Sequence, residues 1–294
     1  MNLIKHPFSI IVVCFVVVCC LFQNSQPVYG QMKAIPKSVN LSKAADSNQA
    51  LQYSMRWTFG RKTQKGWYLY VPLLKETLQT EAAPGTPEFA SEIYQWQGNN
   101  GLRKTGILDN RTFYSFIKYW QARRLRPIIL ATDNQLLTAD ISNFFDPTRD
   151  VELLKVEKET FRAYREMLKA AIADKSLGLK IDKNGWLNED EKFLKLISTY
   201  RSPAYQAGLR KKEPNASRAQ IAFKSPHFTG HALDIYVGGE PVTTKDFNRA
   251  IQIKTPAYLW LVKNAERFGF YPYFYEPWHW EYVPGENRKM TADR

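Results

Sequence analysis

Cysteine is nearly absent from this chain, and where it does occur excludes several chemistries at once. All three cysteines, Cys14, Cys19 and Cys20, fall close to the N-terminus. Beyond them the sequence can build no disulfide framework, no cysteine-rich metal site and no thiol nucleophile. Histidine is almost as scarce: apart from His6 there are only His227, His231 and His279. Any catalytic metal must therefore be gripped by histidines and carboxylates. Runs of five or six like charges are also missing, so the formal net charge of +13 is spread over ordinary solvated surface. With no sequence-reading motif beside it, that charge points to no nucleic-acid partner.

What is present begins with a leader. Lys5 and His6 precede an apolar run from Ile10 to Phe22, followed by polar residues and the small-residue site Val28-Tyr29-Gly30. The run falls short of the roughly 20 apolar residues a bilayer span needs, and its flanks have the order of a secretory signal. Residues 1–30 are therefore read as a signal peptide cleaved after Gly30, with an uncleaved membrane anchor as the alternative. A lipoprotein reading of Cys19 or Cys20 meets Val18 and Cys19 where a small residue is required. The expected location is outside the cytoplasm: periplasmic, cell-wall associated or secreted. Residues 31–50 are polar and read as a linker. The remainder is long enough for about two domains, and 44% hydrophobic with 14% aromatic residues is ample for a packed core.

Residues 51–149 read as mainly helical. Thr86 caps a helix with Pro87 in its first turn, and helical spacing runs through Phe89, Ile93 and Trp96, then resumes at Phe113, Phe116 and Trp120. The connection contains Gly101-Leu102, Thr105-Gly106, Asp109-Asn110 and Thr112, where the glycines permit the turn and Asp109 or Asn110 caps the next helix. This series resembles the core of the small helical peptidoglycan-binding domain; a purely structural helical subdomain is the competing reading.

Residues 150–294 open with an expected long helix from Asp150 to about Asp174. A buried strand follows from Phe193 to Tyr200, then a helix from Ser202-Pro203, a strand from Ala232 to Val237, and a helix from Pro256 to Phe268. Last comes an aromatic strand region from Tyr271 to Val283, broken by Pro277. Helices and strands without repeated βαβ units point to an α+β fold.

The chemistry concentrates in two stretches. Ser225-Pro226-His227-Phe228-Thr229-Gly230-His231-Ala232-Leu233-Asp234 has a glycine for a tight turn, and Glu276-Pro277-Trp278-His279 brings an acid three residues before a histidine. Two neutral imidazoles and one carboxylate leave an open tetrahedral position on zinc, the catalytic arrangement. His227 and His231 are four apart, but Gly230 weakens a helix by about 1 kcal/mol, and the glutamate expected after the first histidine of a helical zinc motif is absent. His231 is accordingly expected not to be a ligand. Trp278, Trp280, Tyr282, Tyr271, Tyr273 and Tyr275 are expected in core and pocket wall, and Glu281 only as a possible partner behind a ligand.

These blocks, together with Tyr200-Arg201-Ser202 and Tyr205-Gln206, resemble the zinc D-alanyl-D-alanine carboxypeptidase family of the vancomycin-resistance type, which includes L,D-carboxypeptidases and D,D-dipeptidases. The resemblance covers roughly residues 150–285. It implies a small antiparallel sheet flanked by helices around one zinc ion held by His227, Asp234 and His279. Glu276 becomes the base, Arg201 the stabiliser of the transition-state anion, and Ser225, Ser202 and Gln206 substrate-binding residues. The implied reaction is removal of a C-terminal D-amino acid from peptidoglycan stem peptides, with glycan as a further partner. Alternatives are an L,D-carboxypeptidase or cross-link endopeptidase with the same site, or a non-catalytic wall-binding protein.

Overall fold

A computed structural model describes residues 39–212 and 224–285. The leader 1–30, with Lys5, His6 and every cysteine, lies outside the described residues, as does linker segment 31–38. In chain order the elements are α1 (Leu41–Ser54), a hairpin of β1 (Arg56–Phe59) and β2 (Lys62–Lys65), α2 (Val71–Leu78), α3 (Pro87–Asn99) and α4 (Asn110–Ala122). Next come β3 (Leu136–Thr138), β4 (Lys155–Glu157), α5 (Lys158–Ala173), β5 (Leu196–Ser198), α6 (Pro203–Lys212) and β6 (Ala232–Ile235). The last elements are α7 (Asp246–Gln252), α8 (Pro256–Asn264), β7 (Phe270–Pro272) and β8 (His279–Tyr282). The fold is α+β: a helical first part, then helices around an antiparallel sheet of order β5-β6-β8-β7.

Several caps follow the sequence closely. Thr86 caps α3 with Pro87 in its first turn, and Asp109 caps α4 by accepting from the Thr112 amide at 2.8 Å. Between these helices Gln97 organises the connection: its Oε1 accepts from the amides of Thr105 and Gly106 at 2.7 and 3.0 Å, while its Nε2 donates to the Ile107 carbonyl and the Thr112 hydroxyl.

Other expectations are corrected. The linker reading of 31–50 fails at its C-terminal part, since Leu41 begins α1, capped by Asn40. This helix buries Ala44, Ala45, Asn48 and Gln52, so it shows no large apolar stripe. Its anchor is polar instead: Asn48 donates to the Gly106 carbonyl and accepts from the Leu108 amide. The long helix expected from Asp150 starts only at Lys158. Val151–Leu153 is a 3-10 turn, Lys155–Glu157 pairs as β4, and the Glu157 carboxylate caps α5 by accepting from the Thr160 amide at 2.8 Å. The strand expected over 193–200 shortens to Leu196–Ser198 because Leu194 takes a left-handed φ of 67°. After Asn264 the helix expected to Phe268 tightens to a 3-10 turn.

One hydrophobic core runs through both halves of the described chain, from Trp57, Trp67, Phe89 and Phe113 to Tyr164, Leu196, Leu233 and Trp280. Phe274, in the β7–β8 connection, is central to this joint. Its ring meets Phe59 at 4.8 Å, Tyr70 at 5.5 Å and Trp120 at 5.9 Å. Buried Arg249 of α7 adds a polar tie, donating to the Tyr70 hydroxyl at 3.1 Å and to the Tyr275 carbonyl at 3.2 Å. The helical region thus grips the loop that carries Glu276.

Gln97→Leu should strand the Thr105 and Gly106 amides at a cost of about 1–3 kcal/mol for each buried donor. Urea unfolding should show a lower midpoint with an unchanged slope; an unchanged midpoint would contradict the role given to Gln97.

Candidate active site

Strand pairing assembles the centre. Asp234 in β6 lies directly opposite His279 in β8, and Ser198 of β5 lies on the other side of Asp234. Because side chains alternate along a strand, Asp234, His279 and Glu281 share one face while Leu233, Trp280 and Tyr282 pack into the core on the other. His227 arrives from a 3-10 turn, Pro226–Thr229, capped by the Ser225 hydroxyl accepting from the His227 N–H at 3.3 Å. Gly230 ends the turn with a φ of 70°, where a Cβ would stand 2.9 Å from the Glu157 side chain and 3.0 Å from its backbone nitrogen. Only glycine fits that crossing over the start of α5. Glu276 sits in the tight β7–β8 turn, where its amide donates to the Tyr273 carbonyl and its carbonyl accepts from the His279 amide, both at 3.0 Å.

His227, Asp234 and His279 are buried, and one ligand atom from each lies within 4.8 Å of the others. Proton bookkeeping is decisive here. The Nδ1–H of His227 donates to the Thr199 carbonyl at 2.5 Å, so its buried Nε2 carries a lone pair, makes no hydrogen bond, and faces Asp234 Oδ1 at 3.3 Å. His279 donates its Nε2–H to the Glu281 carboxylate at 3.1 Å and turns Nδ1 toward the same Asp234 oxygen at 2.9 Å. Electron-rich atoms facing one another out of solvent are relieved by a proton on one ring or by a cation between them. The donor set, two imidazoles and a carboxylate, fits a divalent transition metal, with both rings steered from behind by an oxygen acceptor.

The charges agree. Burial, and then Arg201 nearby, pushes the His227 pKa down to about 4, so that ring is neutral at pH 7. Burial works against a charged His279, yet the carboxylates of Asp234 and Glu281 outweigh it and push the ring up to about 9. Burial likewise opposes ionisation of Asp234, but the surrounding imidazoles and Arg201 hold it well below the usual carboxylate range. Glu276 is pushed up to about 8, chiefly by burial, with His279 opposing. Arg201 donates through Nη2 to Asp234 and through Nε to the Ser198 hydroxyl at 2.9 Å.

Residues 153–285 match one protein family, VanY: D-alanyl-D-alanine carboxypeptidase. This stretch belongs to that family. No curated protein matches the chain. The match indicates a peptidase-type hydrolase of the carboxypeptidase class, a family that implies peptidoglycan stem-peptide substrates.

A cavity of about 880 Å³ opens over this centre and is lined by His227, Asp234, His279, Glu276, Arg201, Ser225 and Gln206 among others. Ser202 is not in that lining; its hydroxyl accepts from the Tyr205 amide at 3.1 Å, at the start of α6. His231 is also apart, its Nδ1 lying 2.6 Å from the Thr160 hydroxyl and 3.3 Å from Glu157. Burial raises the pKa of Glu157, but hydrogen bonds from His231 and Thr160 outweigh it and hold the carboxyl down to about 2. Sequence reasoning missed Arg124 and Arg126, which line the cavity from outside the family stretch. Arg124 pairs with Glu281, and burial of that carboxylate is outweighed by His279 and Arg124, which hold it down to about 2. No local pattern around Arg124 signals a partner 157 residues away.

Two outcomes follow for metal binding. His231→Ala should retain one zinc equivalent by elemental analysis, whereas His227→Ala should retain none after dialysis. At pH 7 metal-free His279 and Glu276 each hold a proton, given values of about 9 and about 8. A dication displaces the first and favours loss of the second. Calorimetry in buffers of different ionisation enthalpy should therefore find one to two protons released per zinc at pH 7, declining as pH rises through about 8 and about 9; release of none would contradict the geometry.

Proposed function

We propose that this chain is an exported zinc-dependent D-alanyl-D-alanine carboxypeptidase that removes the C-terminal D-amino acid from peptidoglycan stem peptides. The observation that carries the reading is the buried Nε2 of His227, which has no proton and no partner, aimed at Asp234 beside a second histidine. His227, Asp234 and His279 would hold one zinc ion. When bound, zinc supplies a Lewis acid that polarises a peptide carbonyl and lowers the pKa of water toward about 7.

The chain's own groups do the rest. Glu276 accepts a proton from the attacking water as the oxygen adds to the carbonyl carbon, then delivers that proton to the amine nitrogen as the C–N bond breaks. The products are a shortened stem peptide with a new carboxylate and a free D-amino acid. Its buried position suits Glu276 to carry a proton in either direction, since ionised and neutral forms lie close in energy near neutral pH. Arg201 lines the same cavity and offers a permanent charge to the developing oxyanion, beyond holding Asp234. Gln206 and Ser225 form part of the cavity wall against which the peptide would lie, Ser225 also holding the backbone of His227.

Export is supported by the leader pattern of Lys5, the run Ile10 to Phe22, and Val28-Tyr29-Gly30. The same reading assigns glycan binding to the helical region, on the Gly101 to Thr112 series.

Mass spectrometry of defined muropeptides tests the reaction. Wild-type protein should release one D-Ala from pentapeptide, and a chelator or Glu276→Gln should abolish release. Arg201→Ala should lower kcat by about 10²–10³. Release from tetrapeptide alone would move the assignment to L,D-carboxypeptidase, cleavage of cross-linked dimers to endopeptidase, and no cleavage with zinc bound to a non-catalytic binder.

A further inference from the structure

We infer that Arg124 is a positioning residue of the metal site, acting through Glu281 on the ring of His279. The inference rests on the zinc-site reading and extends it to a residue outside the family stretch 153–285. Glu281 is completely buried, and its carboxylate accepts from the ligand and from the Arg124-Leu125 segment. His279 Nε2–H donates to Oε1 at 3.1 Å. Arg124 donates to that same oxygen through Nε at 3.1 Å and through Nη2, and the Leu125 amide donates to Oε2 at 3.0 Å.

The guanidinium is itself fixed. Its Nη1 donates to Gln121 Oε1 of α4 at 2.9 Å, and its Cζ lies over the Tyr273 ring, 4.0 Å from the centroid. A planar fork held on two sides can deliver two N–H groups to one oxygen, which a flexible ammonium does less well. That oxygen in turn holds Nε2 of His279, and so fixes the ring with Nδ1 turned toward Asp234. Remove the guanidinium and the buried carboxylate is free to rotate, and the ring loses its anchor. A merely fold-stabilising ion pair would not need to share its oxygen with a ligand. The segment after α4 therefore finishes the metal site, and the family stretch alone lacks part of its own machinery.

The test uses the full chain, with zinc affinity measured by competition against a chromophoric chelator and the ligand field read from the visible spectrum of the cobalt(II) form. Arg124→Gln should weaken zinc binding by about 10–100-fold and shift the cobalt bands, with Arg124→Lys recovering part of the loss. In a Glu281→Gln background, which leaves no stranded charge and guards against misfolding of the single variant, Arg124→Gln should add less than about threefold. Wild-type affinity and an unchanged cobalt spectrum in Arg124→Gln, or losses that multiply in the double variant, would overturn the inference while leaving the zinc site intact. Absence of a zinc equivalent on the wild-type chain would overturn the site and this inference together.

Discussion

A single carboxylate oxygen organises the centre of this protein. Oδ1 of Asp234 has the Nε2 of His227 at 3.3 Å and the Nδ1 of His279 at 2.9 Å, all buried. Both rings have already committed a proton elsewhere, to the Thr199 carbonyl and to the Glu281 carboxylate. Left alone, such an arrangement is repulsive, and it relaxes only by protonating an imidazole or admitting a cation. The raised pKa of His279 is the first response, and metal coordination is the second.

Much of the surrounding fold serves to hold that arrangement still. Pairing of β6 with β8 sets Asp234 against His279, while Gly230 lets the His227 turn press against the start of α5. From the helical region, Phe59, Tyr70 and Trp120 clasp Phe274, and Arg249 joins Tyr70 to the Tyr275 carbonyl just ahead of Glu276. A loop bearing a buried acid must be rigid to keep that acid beside the His227, Asp234 and His279 centre without joining it. Shared packing between the two halves supplies this rigidity at a site whose strands are only three or four residues long.

How much of this was legible in the sequence depended on whether the signal was local. The spacing of His227 and Asp234 around Gly230, and of Glu276 before His279, exposes chemistry in short windows, and the structure brings these residues to one cavity. Thr86 and Asp109 likewise announced their caps within four residues. Where the deciding contact was distant or polar, pattern reading failed. Helix α1 is anchored by Asn48 and small residues rather than by a hydrophobic stripe. The start of α5 is delayed because Glu157 serves as a cap, and Leu194 interrupts a strand that its neighbours favour. Ser202 carried two readings that look alike in sequence, and at the head of α6 its hydroxyl accepts from the Tyr205 amide. The role of Glu281 needed Arg124, which no window contains.

X-ray absorption at the zinc edge on purified protein probes the central claim most directly, because it reports the atoms around the ion without reference to activity. One zinc per chain, with two imidazole nitrogens and otherwise oxygen neighbours, is the predicted shell. An ion surrounded only by oxygen, or carrying a single imidazole, would contradict the convergence on Asp234 from which everything else follows.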